Sequence, residues 1–180
     1  IQVNNTGPLR ITIPLAAGGT LDQSAGPELW GDGTSLNRSW NHIAVERSSG
    51  TLKGYVNGIE VISTTHNVGV DFAHGGGCNI GENSYATYAG DYPFRGYISN
   101  LRICKGHIIY GQNFTPPSSP LSVHYTNENN KTVLLCCQNS EDPTQEATGK
   151  TITAYGRADF SHNPDNLIKN GRFTVSASAE

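Results

Sequence analysis

The sequence predicts an all-β protein, built as an antiparallel two-sheet β-sandwich. Two observations lead to this prediction. Residues 40–63 alternate apolar and polar side chains between short turns, which is typical of strands with one buried face. Turn-forming residues are also abundant, with 21 Gly and 9 Pro, and no long stretch keeps apolar residues at helical spacing.

The segment 40–63 is predicted to form a three-strand meander. In its first strand, Ile43 and Val45 share one side, as alternation requires. A turn at 48–50 leads into the second strand. The pair Asn57-Gly58 then tolerates the positive φ angles of a two-residue hairpin, so that a third strand returns beside the second.

Further short strands are predicted on both sides of the meander, at 9–15, 94–103, 132–137 and 151–155. The polar stretch 139–150 is predicted to be a loop. The resulting domain boundaries are a β-sandwich at 1–138, an appended loop and short strand at 139–160, and a linker or the start of a following module at 161–180.

Several motifs resemble a known family. WNHIAVER from position 40 and LKGYVNGIEV from position 52 are similar to the central meander of laminin-G-like, concanavalin A-like jelly-roll modules. FRGYISNLRI at 94–103 resembles the closing strand of those modules. The order that follows, KGHIIY, NFTPP, SPL and LLCCQ, resembles structural proteins of marine bacteriophages, especially those that infect cyanobacteria.

The phage resemblance implies a non-enzymatic structural component of a virion appendage, such as a tail fibre or a capsid fibre or protrusion. Its partners would be other virion subunits, with a homo-oligomer expected, and it would lie on the virion surface. Host-glycan recognition is a compatible second role. The alternative is an extracellular, lectin-like carbohydrate-binding module of a secreted bacterial adhesin.

Both ends of the chain are expected to be cuts through a longer polypeptide. Family members usually have more strands before the matched region, so we expect some N-terminal strands to be missing. The chain starts at Ile1 and contains 0 Met. Any open strand edges would then be covered by a neighbouring chain, because unpaired edges invite uncontrolled pairing.

Composition argues against two classes of partner. Charged residues make up 15% of the chain and the net charge is −3, so an electrostatic grip on nucleic acid is not expected. No apolar run approaches the ~20 residues of a membrane-spanning helix, so membrane insertion is not expected either.

No catalytic constellation is found, and we predict that the protein is not an enzyme. Glycosidases of sandwich fold place paired carboxylates on one strand face, as in E-x-D-x-x-E, and this chain has no such run. The HGGG sequence at 74–77 resembles an esterase oxyanion loop, but its G-x-S-x-G partner is absent.

The loop 83–93 is the predicted ligand site. Sugars present flat C–H faces and hydroxyls, so a site for them needs exposed aromatic rings beside carboxylate or amide groups. The candidate glycan-binding residues are Asn83, Tyr85, Tyr88, Asp91, Tyr92 and Trp30. The alternative is that these tyrosines pack against the sheet edge or a neighbouring subunit. Trp40 is expected in the core.

No cofactor is expected, and no histidine or cysteine spacing indicates a transition-metal site. Calcium stays open, with loop aspartates at 22, 32, 71 and 91. The four cysteines are expected to be reduced core thiols, with a Cys78–Cys104 disulfide as the alternative. Adjacent Cys136 and Cys137 are expected to point to opposite faces of a strand and to be poorly placed to bond each other.

Overall fold

The computed structural model describes residues 2–3, 7–14, 20–30, 40–67, 69, 78–81, 97–124, 132–139, 141–142, 144–156 and 171–176. Within them the chain forms strands and turns and no helix, so none of the described residues belongs to a helix able to cross a membrane. The strands are β1 (Gln2–Val3), β2 (Gly7–Pro14), β3 (Thr20–Trp30), β4 (Ile43–Ser48), β5 (Thr51–Val56), β6 (Ile59–Thr65), β7 (Cys78–Ile80), β8 (Leu101–Cys104), β9 (Thr132–Cys136), β10 (Thr151–Gly156) and β11 (Gly171–Ser176).

The chain divides into two compact units. Unit 1 comprises 1–72 and 108–118, and unit 2 comprises 73–107 and 119–180. Unit 1 contains the sheets β1-β2-β3 and β4-β5-β6, whereas unit 2 contains β10-β11-β7 and β8-β9. All pairs among the described strands are antiparallel, which confirms the predicted all-β, antiparallel class.

The meander of unit 1 has the predicted form. Its two turns are Ser49-Gly50, with φ angles of 48° and 79°, and Asn57-Gly58, with φ angles of 50° and 83°. Two successive positive φ angles match the right-handed twist of the flanking strands, which is why Asn-Gly is so favourable there. The third strand, β6, runs to Thr65 instead of ending at Ser63.

The core of unit 1 lies between its two sheets. Leu9 and Ile11 of β2 pack on Leu52, Val56 and Ile62, all of them at most 4% exposed. Gly54 sits opposite Ile11, and a Cβ atom there would lie 2.9 Å from the Ile11 Cδ1 atom. The glycine therefore lets the sheets approach closely, and the two-sheet sandwich is confirmed.

The opposite face of the β4-β5-β6 sheet is covered by residues 108–118, which we call the strap. The Phe114 N–H donates to the Gly58 carbonyl at 2.9 Å. The Phe114 ring stacks on Tyr110 with centroids 3.5 Å apart and meets the buried Tyr55 ring edge-on at 5.4 Å. Apolar contact and backbone hydrogen bonding together hold the strap on the sheet.

Unit 2 is organised around β9. Leu134 and Cys136 of β9 share a core with Ile80 of β7 and Ile152 of β10. The strand β11 pairs with β10 on one side and β7 on the other. It falls within 161–180, the stretch predicted to be a linker or the start of a following module.

Some sequence expectations need correction. The strand β3 was not predicted, because Thr20–Trp30 lacks a regular apolar alternation. The strand expected at 94–103 is formed at Leu101–Cys104, while 97–100 carry no strand and 94–96 lie outside the described residues. Trp40 is 67% exposed, so its core placement is wrong. It precedes β4 and is not part of a strand.

Substitution of Gly58 by alanine tests the docking of the strap. A Cβ there would lie 1.9 Å from the Phe114 carbonyl oxygen, at a φ of +83°. We expect Gly58→Ala to lower the free energy of unfolding by about 3 kcal/mol, from backbone strain plus overpacking. Urea unfolding is the measurement.

Gly111→Ala is the matched control. Its φ is +70°, and the nearest atom to an added Cβ is Ile108 Cγ2 at an ordinary 3.5 Å. It should show only the strain of the left-handed conformation, about 1 to 2 kcal/mol. Equal losses in the two variants would contradict the proposed close approach at Gly58.

Candidate functional site

The predicted glycan-binding residues cannot be placed together in this structure. Asn83, Tyr85, Tyr88, Asp91 and Tyr92 all lie outside the described residues. Trp30 is the last residue of β3, where its backbone pairs with Gly7, and its side chain is outside the described set. The tyrosine-loop site therefore stays a prediction.

The structure instead shows a cavity between the strap and the β4-β5 hairpin of unit 1. Its volume is about 220 Å³. The lining residues are Glu46, Ser48, Thr51, Lys53, Ile108 and Gly111. We call this space the strap cavity. The sequence analysis missed it, although four of its six lining residues carry hydroxyl, carboxylate or ammonium groups.

Strand register explains why these polar side chains converge. Glu46 pairs with Lys53, and Ser48 pairs with Thr51, across the β4-β5 ladder. Directly opposed residues lie on the same face of a sheet, and residues two apart on one strand share that face. The sequence does indicate that Glu46 lies on the polar side of the first predicted strand of the meander. It does not show that the strap packs over that side.

The Glu46 carboxylate holds the strap by three hydrogen bonds. Its Oε1 atom accepts from the N–H groups of Ile109 at 2.9 Å and Tyr110 at 2.7 Å, and its Oε2 atom accepts from the Gly111 N–H at 2.8 Å. Successive backbone N–H groups that converge on one point form an anion-binding nest. Here the anion is the chain's own side chain.

Lys53 links the strap to the neighbouring strand. Its Nζ donates to the Gly111 carbonyl at 2.9 Å and lies 2.9 Å from Glu60 Oε2. The hydrogen bond with Glu60 is the main reason that the pKa of Lys53 is raised. Asn113 adds a further link by accepting from the Glu60 backbone N–H at 2.8 Å.

Tyr55 lies beneath the same strap and is fully buried. Its hydroxyl has no hydrogen-bond partner among the described residues. Burial raises the pKa of Tyr55, since the phenolate form is poorly solvated there. A buried hydroxyl normally has a partner, so the Tyr55 hydroxyl is an exception within the described part of unit 1.

The strap cavity is suited to binding and poorly suited to acid–base chemistry. Ser48 and Thr51 offer hydroxyls that both donate and accept, which complements the hydroxyls of a sugar. Glu46 and Lys53 already bond to the backbone of the strap. A general acid or base needs a carboxyl group that can reach its substrate, and Glu46 is engaged elsewhere.

A second carboxylate, missed by the sequence analysis, organises unit 2. Glu146 lies in the stretch predicted to be a polar loop and accepts from the backbone N–H groups of Leu135 at 2.8 Å, Thr148 at 2.7 Å and Lys150 at 2.9 Å. Partial burial acts to raise the pKa of Glu146, but these donors outweigh it and the pKa is lowered. The loop is thereby tied to β9.

Cys104, Cys136 and Cys137 are free thiols, as the sequence analysis expected, whereas its expectation for the adjacent pair needs correction. Cys104 is a free thiol with its Sγ 3.7 Å from Thr132 Oγ1, so the alternative Cys78–Cys104 disulfide is not formed. The Sγ atoms of Cys136 and Cys137 lie only 3.7 Å apart. The expectation of opposite faces is wrong because Cys137 follows the end of β9 and has a φ of 60°.

No metal centre is found in the described part of the chain, where no three His, Cys, Asp or Glu side chains cluster. Of the four loop aspartates considered for calcium, Asp22 belongs to β3 and forms an ion pair with Arg10. That hydrogen-bonded pair is the main reason that the pKa of Asp22 is lowered. The other three aspartates lie outside the described residues.

Comparison with known families agrees with the sandwich. The family model of the concanavalin A-like lectin/glucanases superfamily matches residues 1–108, more than half of the 180-residue chain. The chain belongs to this superfamily. The matched region ends at the first residue of the strap. It covers residues 1–72 of unit 1 and residues 73–107 of unit 2. No curated protein and no solved structure matches the chain.

Glu46→Gln tests the nest beneath the strap. Glutamine has no negative charge, and it replaces one acceptor oxygen by an NH₂ group that cannot accept from the backbone N–H donors. We therefore expect the free energy of unfolding to fall by about 2 kcal/mol. Urea unfolding measures the loss. Glu60→Gln, which removes only the partner of Lys53, should have a smaller effect because that pair is solvent-accessible. A larger loss for Glu60→Gln would contradict the central role of Glu46.

Glu146 should contribute to acid sensitivity. Because the folded state lowers its pKa, the stabilisation is present above the pKa of the unfolded chain and is lost as pH falls through the folded pKa. We expect Glu146→Gln to flatten the decline of the urea midpoint between about pH 5 and pH 3. Glu141→Gln, an exposed carboxylate in the same stretch, is the control. An unchanged slope in Glu146→Gln would refute the assignment.

Proposed function

We propose that this protein is a non-enzymatic recognition and structural module that binds glycans on the outer face of the β4-β5-β6 sheet. The strap cavity is the observation on which the proposal depends. Its volume of about 220 Å³ is of the order of one sugar ring, and its lining offers the hydroxyls of Ser48 and Thr51, while Glu46 and Lys53 hold the strap that closes it. Membership of a lectin-containing superfamily supports the same class of ligand.

The proposed setting is a virion appendage, such as a tail fibre or a capsid fibre or protrusion, in which the module would assemble with other virion subunits. The motifs that carry the phage resemblance support this setting. Two of them, KGHIIY and NFTPP, overlap the strap, and Asn113 and Phe114 of the second motif make two of its hydrogen bonds to the sheet. Motifs that also form a defined structural element support the phage resemblance better than overall composition does.

A secreted bacterial adhesin remains the alternative proposal. It has the same fold and the same class of ligand, but it predicted a Cys78–Cys104 disulfide, as expected for an oxidising compartment. The oligomeric state also discriminates, since a homo-oligomer is proposed for the fibre component, and sedimentation of the purified chain measures it.

Absence of catalysis and of a required cofactor is part of the proposal. It is supported by the structural engagement of Glu46 and Glu146. Incubation with the glycans that bind should release no new reducing ends. Binding should also persist in a chelator, whereas loss of binding in EDTA would indicate a calcium site.

Glycan-array binding tests the ligand class and the site together. Thr51→Val with Ser48→Ala removes both hydroxyls of the strap cavity and leaves Glu46 in place. We expect about a tenfold weaker affinity, equivalent to about one net hydrogen bond. Thr153→Val, an exposed strand threonine of unit 2, is the matched control and should bind normally.

Two other outcomes would overturn parts of the proposal. If Tyr85→Ala and Tyr92→Ala abolish binding while the double cavity variant binds normally, the glycan site is the tyrosine loop that the sequence predicted. If the chain binds no glycan on the array, the recognition role fails and the structural role stands alone.

A further inference from the structure

Cys136 and Cys137 form a vicinal thiol pair with an unusual backbone. Their Sγ atoms lie 3.7 Å apart, close to van der Waals contact between two sulfurs. Successive side chains of a regular strand point to opposite faces, so this approach requires a departure from strand geometry. The departure is the left-handed conformation of Cys137, whose φ is 60°.

A left-handed conformation is costly for cysteine. Glycine adopts it freely, and asparagine tolerates it, but other residues hold it only where the surroundings enforce it. Such residues cluster at functional sites. The other described non-glycine residues with positive φ are one serine and two asparagines. Two of these, Ser49 and Asn57, belong to the two-residue turns of the meander.

The surrounding structure fixes the backbone of Cys137. Its carbonyl accepts from the Asn100 N–H at 2.9 Å. The next side chain, Gln138, donates to Asn100 Oδ1 at 2.8 Å and to the Leu121 carbonyl at 2.7 Å. Residue 137 is therefore anchored through its own carbonyl and through the side chain of the next residue, and the two thiols are held together by the fold as well as by their adjacency.

The two thiols are not equivalent. Cys136 is 1% exposed and belongs to the core of unit 2, whereas Cys137 is half-buried at its margin. The hydrogen bond from Cys136 lowers the pKa of Cys137, although burial opposes the shift. Cys137 is thus the accessible nucleophile and Cys136 is the thiol placed to resolve an adduct on it.

We propose that Cys136 and Cys137 are a reversible modification site that closes to a vicinal disulfide by exchange with a small-molecule disulfide. The Cys137 thiolate attacks one sulfur of the reagent and expels a thiolate. Cys136 then attacks the Cys137 sulfur of the mixed disulfide, and the second thiolate leaves and takes up the proton that Cys136 gives up. Two protein thiols are oxidised, and one reagent disulfide is reduced to two thiols.

The ring should be easily reopened by reductants. Adjacent Cα atoms are about 3.8 Å apart, below the roughly 4.4 to 6.8 Å that disulfides normally span. Strained disulfides are the labile ones, so the site should cycle under mild conditions. This inference does not depend on the proposed glycan-binding function.

Peptide mapping isolates the pair. Cleavage after Lys and Arg leaves Cys136 and Cys137 together in peptide 132–150, with no other cysteine. Cys104 falls in 103–105 and Cys78 in 54–95. The reduced, folded chain is incubated with oxidised glutathione, the remaining thiols are alkylated, and the digest is analysed by mass spectrometry.

We expect peptide 132–150 to lose two hydrogens, to carry no alkyl group, and to regain both thiols in dithiothreitol. Cys104→Ser should behave like the unaltered chain. Cys137→Ser should yield no ring. The ring should also form at least about tenfold faster in the folded chain than in urea, because the fold orients the two sulfurs.

Three results would overturn the proposal. One is a peptide 132–150 that keeps two alkylated thiols while peptide 54–95 or 103–105 is oxidised. Another is a glutathione adduct that persists on Cys137 without ring closure. The third is an equal rate of closure in urea, which would show that adjacency alone, and not the fold, pairs these thiols.

Discussion

The acceptance of three successive backbone N–H groups by the Glu46 carboxylate is the interaction on which unit 1 depends. The donors lie 63 to 65 positions further along the chain. Without it, three polar backbone groups of the strap would face the sheet with no acceptor, an expensive arrangement in a partly buried site. The strap in turn covers the ring of Tyr55 and defines the cavity beside Ser48 and Thr51.

The same solution occurs in unit 2. Glu146 gathers backbone donors from Leu135, Thr148 and Lys150, as Glu46 gathers them from the strap. In both places a carboxylate accepts hydrogen bonds from the N–H groups of an irregular segment. In a regular sheet the carbonyl groups of a neighbouring strand would accept them. Acidic residues used in this way position loops, and this use fits a protein whose proposed role is recognition.

The two faces of the β4-β5-β6 sheet have different functions. One face packs Leu52, Val56 and Ile62 against β2 and provides the hydrophobic contribution to stability. The other face carries Glu46 and Lys53 and receives the strap. Because side chains alternate along a strand, a single short meander contributes to the core with one face and holds the strap with the other.

The sequence by itself determined the meander and its turns. The alternation at Ile43 and Val45 depends on side-chain parity, and the turn at Asn57-Gly58 depends on local φ preferences. Both can therefore be predicted without knowledge of distant residues. The family resemblance could be recognised for the same reason, because its central motif is this meander. Strand ends were less exact: β6 continues to Thr65 because its pairing with Thr51 continues.

Only the tertiary structure decided which polar residues form a site. Glu46 looks like any solvent-facing strand residue until the strap returns over it, and Glu146 looks like part of a polar loop until it meets β9. Strand alternation would place Cys137 on the opposite face from Cys136, but its φ of 60° brings the two side chains together. In each case the deciding contact or conformation depends on how distant segments pack, which local sequence preferences do not encode.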